Sequence, residues 1–188
     1  MVRLNESDHL TGGKEMYVYP VPYLSFLAHF HIDHDYFECH EVLEEHWKET
    51  NGTRDSVWVG LIQTAVFLYH YRRGNCEGAK RMAAKALQCF SRNQAELANL
   101  GIDPGALSEL ISHTAQRMLE GAPFQPMTIP IIDQKVLKEL DRFAHTFQGE
   151  ADKQFLTDKH LLRDRSDVIQ ARAAAISLKK AGKITTRA

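Results

Sequence analysis

This chain predicts an all-α fold: an antiparallel helical bundle with additional C-terminal helices. Three observations carry that expectation. Apolar residues recur at helical spacing, and no strand-period alternation runs beyond a few residues. Capping residues open the periodic segments, and Gly52, Gly74, Gly101 and Gly121 stand where they stop. The stretch from Val57 to Tyr71 is apolar nearly all round, as befits a helix in the middle of a bundle.

Taken in order, residues 1–16 are polar, contain Gly12-Gly13, and read as a flexible arm. Tyr17 to Pro22 carries two prolines and is expected to be extended. Tyr23 to Phe30 is a short apolar helix, followed by a hinge with three histidines, His29, His31 and His34. Asp35 stands as an N-cap, with Glu38 three positions on as in a capping box. The helix it opens runs to Asn51-Gly52. Asp55 or Ser56 caps the next, which reaches about Arg73. Asn75 caps a third, expected to continue to about Leu100. Asp103-Pro104 starts a fourth, with Leu107, Leu110, Ile111 and Thr114 facing inward. Pro123, Pro126 and Pro130 mark an ordered strap. Asp133 starts a fifth helix, with Val136, Leu137, Leu140, Phe143 and Phe147 on one stripe and Gly149 after it. Asp152 to Ser166 is mixed and basic, and Ser166 or Asp167 caps a last helix to about Ala181. The division that follows is an arm (1–16), a helical-bundle core domain (17–121), and a proline-containing strap with basic C-terminal helices (122–188).

The chain has 188 residues, 44% hydrophobic and 25% charged, which describes an ordinary water-soluble domain. Its formal net charge of -1 gives no global field for nucleic acid or a membrane surface. The balance hides an asymmetry: Asp33 to Glu49 carries seven acids and one base, whereas Lys153 to Ala188 carries nine bases and three acids. The basic tail lacks interleaved aromatics beyond Phe155, which argues against nucleic acid. It reads instead as a solvated helix face or a homo-oligomer contact. Three cysteines, none in a CxxC, argue against a disulfide framework. With no apolar leader and no long apolar run, a cytoplasmic location and no membrane partner are expected.

The chemistry concentrates in Asp35-Tyr36-Phe37-Glu38-Cys39-His40-Glu41-Val42-Leu43-Glu44-Glu45-His46-Trp47. At about 100° per residue, Tyr36, Leu43 and Trp47 fall within about 60° of His40, and Glu44 lies one turn away. A histidine and a carboxylate thus sit in the stripe expected to face the core, where charge must be paired or metal-bound. The following helix repeats the anomaly: Gln63 and His70 share a face with Val59, Val66 and Phe67. Packed antiparallel, the two helices would bring His40, Glu44, Gln63 and His70 together.

Two readings of these residues stand. In one, His40, Glu44 and His70 bind a divalent metal such as zinc, iron or manganese, since facing helices are where bundles build metal centres. An enzyme of this kind would perform metal-assisted hydrolysis, with Glu41 or Glu44 as base. In the other, the same groups form a structural hydrogen-bond network in a non-catalytic interaction or scaffold protein. An HxxxE pair alone recurs by chance on ordinary helices, and the zincin signature HExxH is absent.

The stretch Asp35 to Trp47, followed by Gly60-Leu61-Ile62-Gln63-Thr64-Ala65-Val66-Phe67-Leu68-Tyr69-His70-Tyr71-Arg72-Arg73-Gly74-Asn75, resembles the family called domain of unknown function 309. The likeness covers roughly Phe30 to Phe90. It implies a small all-helical bundle of bacteria and archaea. It also implies a functional, metal-binding role for an HxxxExxW-type motif, here His40, Glu44 and Trp47.

Overall fold

The computed structural model describes residues 17–50, 52–149 and 152–162. The expected arm (1–16) and the expected last helix (Ser166 to Ala181) lie outside them. Among the described residues the elements are α1 (Val21–Ala28), a π-helical turn (His29–Asp33), α2 (Tyr36–Glu49), α3 (Val57–Arg72), α4 (Cys76–Arg92), α5 (Gln94–Asn99), α6 (Pro104–Leu119), α7 (Gln134–Ala144) and α8 (Lys153–Leu162). There is no strand among them, and a single antiparallel bridge joins Ile102 to Ile131.

Local chemistry sets most helix starts. Asp35 accepts from the Glu38 N–H, Ser56 from Trp58, Asn75 from Gly78, Asp103 from Ala106 and Asp133 from Lys135. Each cap satisfies a backbone donor that the first helical turn cannot pair. Gly52, Gly74, Gly101 and Gly121 all take positive φ just past a helix end, the conformation glycine adopts without Cβ strain.

The apolar helix α3 is the centre of the bundle, with α2 on one side and α4 on the other. Phe37 packs on Tyr69 and His46 on Trp58, so α2 and α3 run antiparallel. Cys89 donates to the Ser56 carbonyl at the opposite end from the Arg73–Asn75 turn, so α3 and α4 run antiparallel as well. Gly60 of α3 lies against the Phe90 ring of α4, a contact that leaves no room for a Cβ. Small residues of α4, Ala79, Ala83 and Ala86, are buried on the same side. Helix α1 packs on α2 and α7, and α6 on α4. Tyr23 donates to the Leu100 carbonyl and Tyr71 to that of Ala122, which tie distant turns to the core. The proline-containing strap buries Met127 and Ile129, and Phe124 packs edge-on against Tyr36 and Tyr71.

Two elements differ from the sequence expectation. The third main helix does not reach Leu100 unbroken. At Asn93 (φ -121°, ψ 34°) the backbone leaves the helix. The Asn93 side chain donates to the Cys89 carbonyl at 2.8 Å, taking the acceptor that its own N–H would use in a continuing helix. Second, part of the segment read as mixed and basic is helix α8. It is held by contacts from elsewhere in the chain: Arg72 donates to the Leu156 carbonyl, Arg73 faces Asp158, and Lys159 meets Asp35 and Glu38.

Candidate metal centre

Helix α2 buries Tyr36, Cys39 and Leu43 completely. This stripe is rotated toward Cys39 relative to the one expected through His40 and Trp47. The first apolar turn packs Cys39 under α1, where its thiol lies 3.5 Å from the Phe26 carbonyl. His40 is therefore on the flank of the buried face, about 60° from Leu43. The polar site is half-exposed rather than buried: the side chains of His40, Glu41 and Glu44 retain 29%, 32% and 35% exposure.

These three side chains form one compact group. Glu41 Oε1 is 3.0 Å from His40 Nδ1, and Glu44 Oε2 is 3.7 Å from His40 Nε2. One ligand atom from each lies within 4.8 Å of the others. Glu41 thus lies at ion-pair distance from one ring nitrogen and Glu44 near the other, and neither contact has hydrogen-bond geometry. Metal–ligand bonds of about 2.0–2.1 Å put neighbouring donors about 3–3.5 Å apart, so Nε2 and Glu44 are near the spacing one ion requires. Glu44 Oε1 is meanwhile 3.2 Å from Lys48, an exposed partner on the next turn.

His40 and Glu44 open onto a groove of about 420 Å³ between α2, α3 and α4. Trp47, Val59, Ile62 and Gln63 also line it. Trp47 is fixed by its indole N–H, which donates to the Thr53 carbonyl at 2.7 Å. The Gln63 side-chain oxygen is buried and has no hydrogen-bond donor among the described residues.

The structure places His40, Glu44, Trp47 and Gln63 around one groove, with Glu41 beside His40 and Glu44. It does not bring His70 to them. With Phe37 opposite Tyr69, the antiparallel register sets His70 level with the start of α2, more than a turn from His40. There its Nδ1 lies 3.2 Å from the Asn75 side-chain amide. Periodicity could establish which face of α3 carries His70, but not its height against α2.

Sequence reasoning also missed the groove's basic side. Arg54, Lys85 and Arg92 line it together with Asp55 and Gln88. Lys85, Gln88 and Arg92 recur at i, i+3 and i+7 on α4. That is a signal only once α4 is known to flank α3.

A second histidine–carboxylate group, His29, Asp33 and Asp35, joins the π-helical turn to the N-cap of α2. Its donors are already used within the chain. His29 Nδ1 is 3.0 Å from Asp33, whose other oxygen accepts from the Asp35 N–H. Asp35 accepts from Glu38 N–H with one oxygen and from Lys159 with the other. His31, from the same turn, accepts from the Ile129 N–H at 3.0 Å through Nε2. Burial, with a smaller contribution from nearby His34, lowers its pKa to about 4, so it is neutral there. The cysteines are all free, and burial raises the pKa of both Cys39 and Cys89, which disfavours thiolate chemistry.

Fold and site together define an all-helical protein with a histidine–carboxylate group on the helix that flanks an apolar central one. The family model described as "Domain of unknown function (DUF309)" matches residues 23–82, which span both helices. "Uncharacterized protein YpuF" of Bacillus subtilis (strain 168) is 39% identical over 170 residues, covering 87% of this chain and 98% of the relative. The chain belongs to the DUF309 family. No solved structure matches it.

Proposed function

We propose that this protein binds a divalent metal through His40 Nε2 and Glu44, with Glu41 holding the imidazole. The observation that carries the reading is the placement of two carboxylates on the two nitrogens of one imidazole. One is positioned as an orienting partner and the other as a fellow ligand. The unpaired Gln63 oxygen offers a third donor from the facing helix. An imidazole, a carboxylate and an amide oxygen with the remaining positions open suit zinc, iron or manganese. His70 is not needed in this set.

Metal-assisted hydrolysis is the reaction class such a site serves. The metal would polarise a bound substrate oxygen, while Glu44 or Glu41 takes the proton from an attacking water. A cytoplasmic location accords with three free thiols, two of them buried. No described helix is long and apolar enough to cross a membrane.

One observation favours the non-catalytic alternative. Glu44 already has Lys48 as a partner, so the group can stand as a surface ion-pair chain. Elemental analysis of protein purified without a histidine tag separates the two. The metal reading expects stoichiometric zinc, iron or manganese, and a Tm that falls on adding chelator. Metal at a hundredfold excess over its Kd stabilises by about 2.7 kcal/mol. His40→Ala should abolish both the metal content and the chelator effect. Metal-free protein whose Tm ignores added metal would leave the ion-pair chain as the role of these residues.

A further inference from the structure

We infer that the groove beside His40 takes a small phosphate monoester, its phosphoryl group between the metal ligands of α2 and a basic wall on α4. The inference rests on the metal reading and assigns that site its substrate class. The two walls differ in charge. On α2 stand His40 and Glu44; across α3, Lys85 and Arg92 line the other side, and Arg54 lines it from the preceding loop. Arg92 pairs with Asp55 at 2.8 Å beside the groove. Lys85 and Arg54 have no ion pair with any described residue, so their charges are available. With a divalent ion in place the lining carries a net positive charge. A dianion bridging metal and basic wall would offset most of it, and a neutral or cationic ligand would not. The floor is different in kind: Trp47, Val59 and Ile62 offer apolar surface for an organic substituent. A groove of about 420 Å³ has the size of a small-molecule site.

Phenyl phosphate matches both halves of this lining and serves as the probe. Its binding to the manganese-loaded full chain is measured by calorimetry, after manganese stoichiometry has been measured separately. Phenyl sulfate, with one charge fewer, is the control. Lys85→Ala and Arg54→Ala replace exposed side chains and leave the core untouched. Each should weaken phenyl phosphate by about tenfold, as loss of one charge-assisted hydrogen bond does, without changing manganese affinity. Phenyl sulfate should bind at least tenfold more weakly than phenyl phosphate. Stoichiometric manganese with no phenyl phosphate binding overturns this inference and leaves the metal site standing. Equal affinity for phosphate and sulfate, or unchanged affinity in both variants, also overturns it. Phenyl phosphate binding that needs Lys85 but is the same without metal overturns the bridged position inferred here, and the manganese stoichiometry then decides the metal reading by itself.

Discussion

Glu41 Oε1 lies 3.0 Å from His40 Nδ1, one residue along the same helical turn. Adjacent residues on a helix diverge by about 100°, so the two side chains reach toward each other across the surface of α2. Each keeps about a third of its exposure, so the contact adds little to stability and its consequence is orientation of the ring. In a metal site, a partner of this kind tunes affinity.

Glu41→Gln should therefore weaken metal binding about tenfold to a hundredfold. The melting temperature of the metal-free protein should stay within about 0.5 kcal/mol equivalent of wild type. Competition calorimetry against a chelator reads the affinity. Identical affinity in wild type and variant would show that Glu41 does not orient the ligand.

Gly60 is a point of close approach between α3 and α4. A Cβ there would lie 2.4 Å from Phe90 Cε1, inside the buried core. Gly60→Ala should destabilise the protein by about 1–3 kcal/mol through overpacking. Adding Phe90→Leu should recover part of that loss, because the two changes share one contact. Denaturant unfolding of the four proteins in the cycle gives the coupling. Additive effects would mean that the helices shift instead of clashing.

Lys159 clasps α8 to the start of α2. It donates to fully buried Asp35 and, at 2.9 Å, to Glu38. Burial lowers its pKa, but the bonds to Asp35 and Glu38 outweigh that and hold it above the ordinary lysine value. Lys159→Met removes the cation and leaves Asp35 buried without it, a loss of about 2–3 kcal/mol. Hydrogen exchange should show faster opening of α8 while α3 keeps its protection. A variant as stable as wild type would mean that water replaces the lysine.

His31 makes acid stability depend on the strap. Its pKa in the folded protein is about 4, against an ordinary 6.5, so the unfolded chain binds the proton more readily. The contribution is fully present above about pH 6.5 and is lost as pH falls toward 4. Allowing for the ring's partial exposure, the loss is on the order of 2 kcal/mol. His31→Gln can still accept from the Ile129 N–H without titrating, so stability measured from pH 7 to pH 4 should fall less steeply than in wild type. Parallel profiles would assign the acid dependence to other groups.

The sequence by itself determined the all-α class and most helix starts. Asp35, Ser56, Asn75, Asp103 and Asp133 cap where their side chains predict, because a cap acts across two or three residues. It also placed Glu44 one turn from His40, since that spacing belongs to a single helix. Other features depended on residues far apart in the chain. The buried stripe of α2 turned toward Cys39 because α1 covers that side, which left His40 at a groove mouth. Helix α4 ends at Asn93, where a buried side chain takes a backbone acceptor. Helix α8 is anchored by Arg72, Arg73 and α2, none of which its own periodicity reveals. Tertiary structure alone decided that His70 stands away from His40 and that Lys85 and Arg92 line the same groove as His40. Periodicity gives the face a side chain occupies, but only packing between helices sets their relative height and rotation, and hence which faces share a groove.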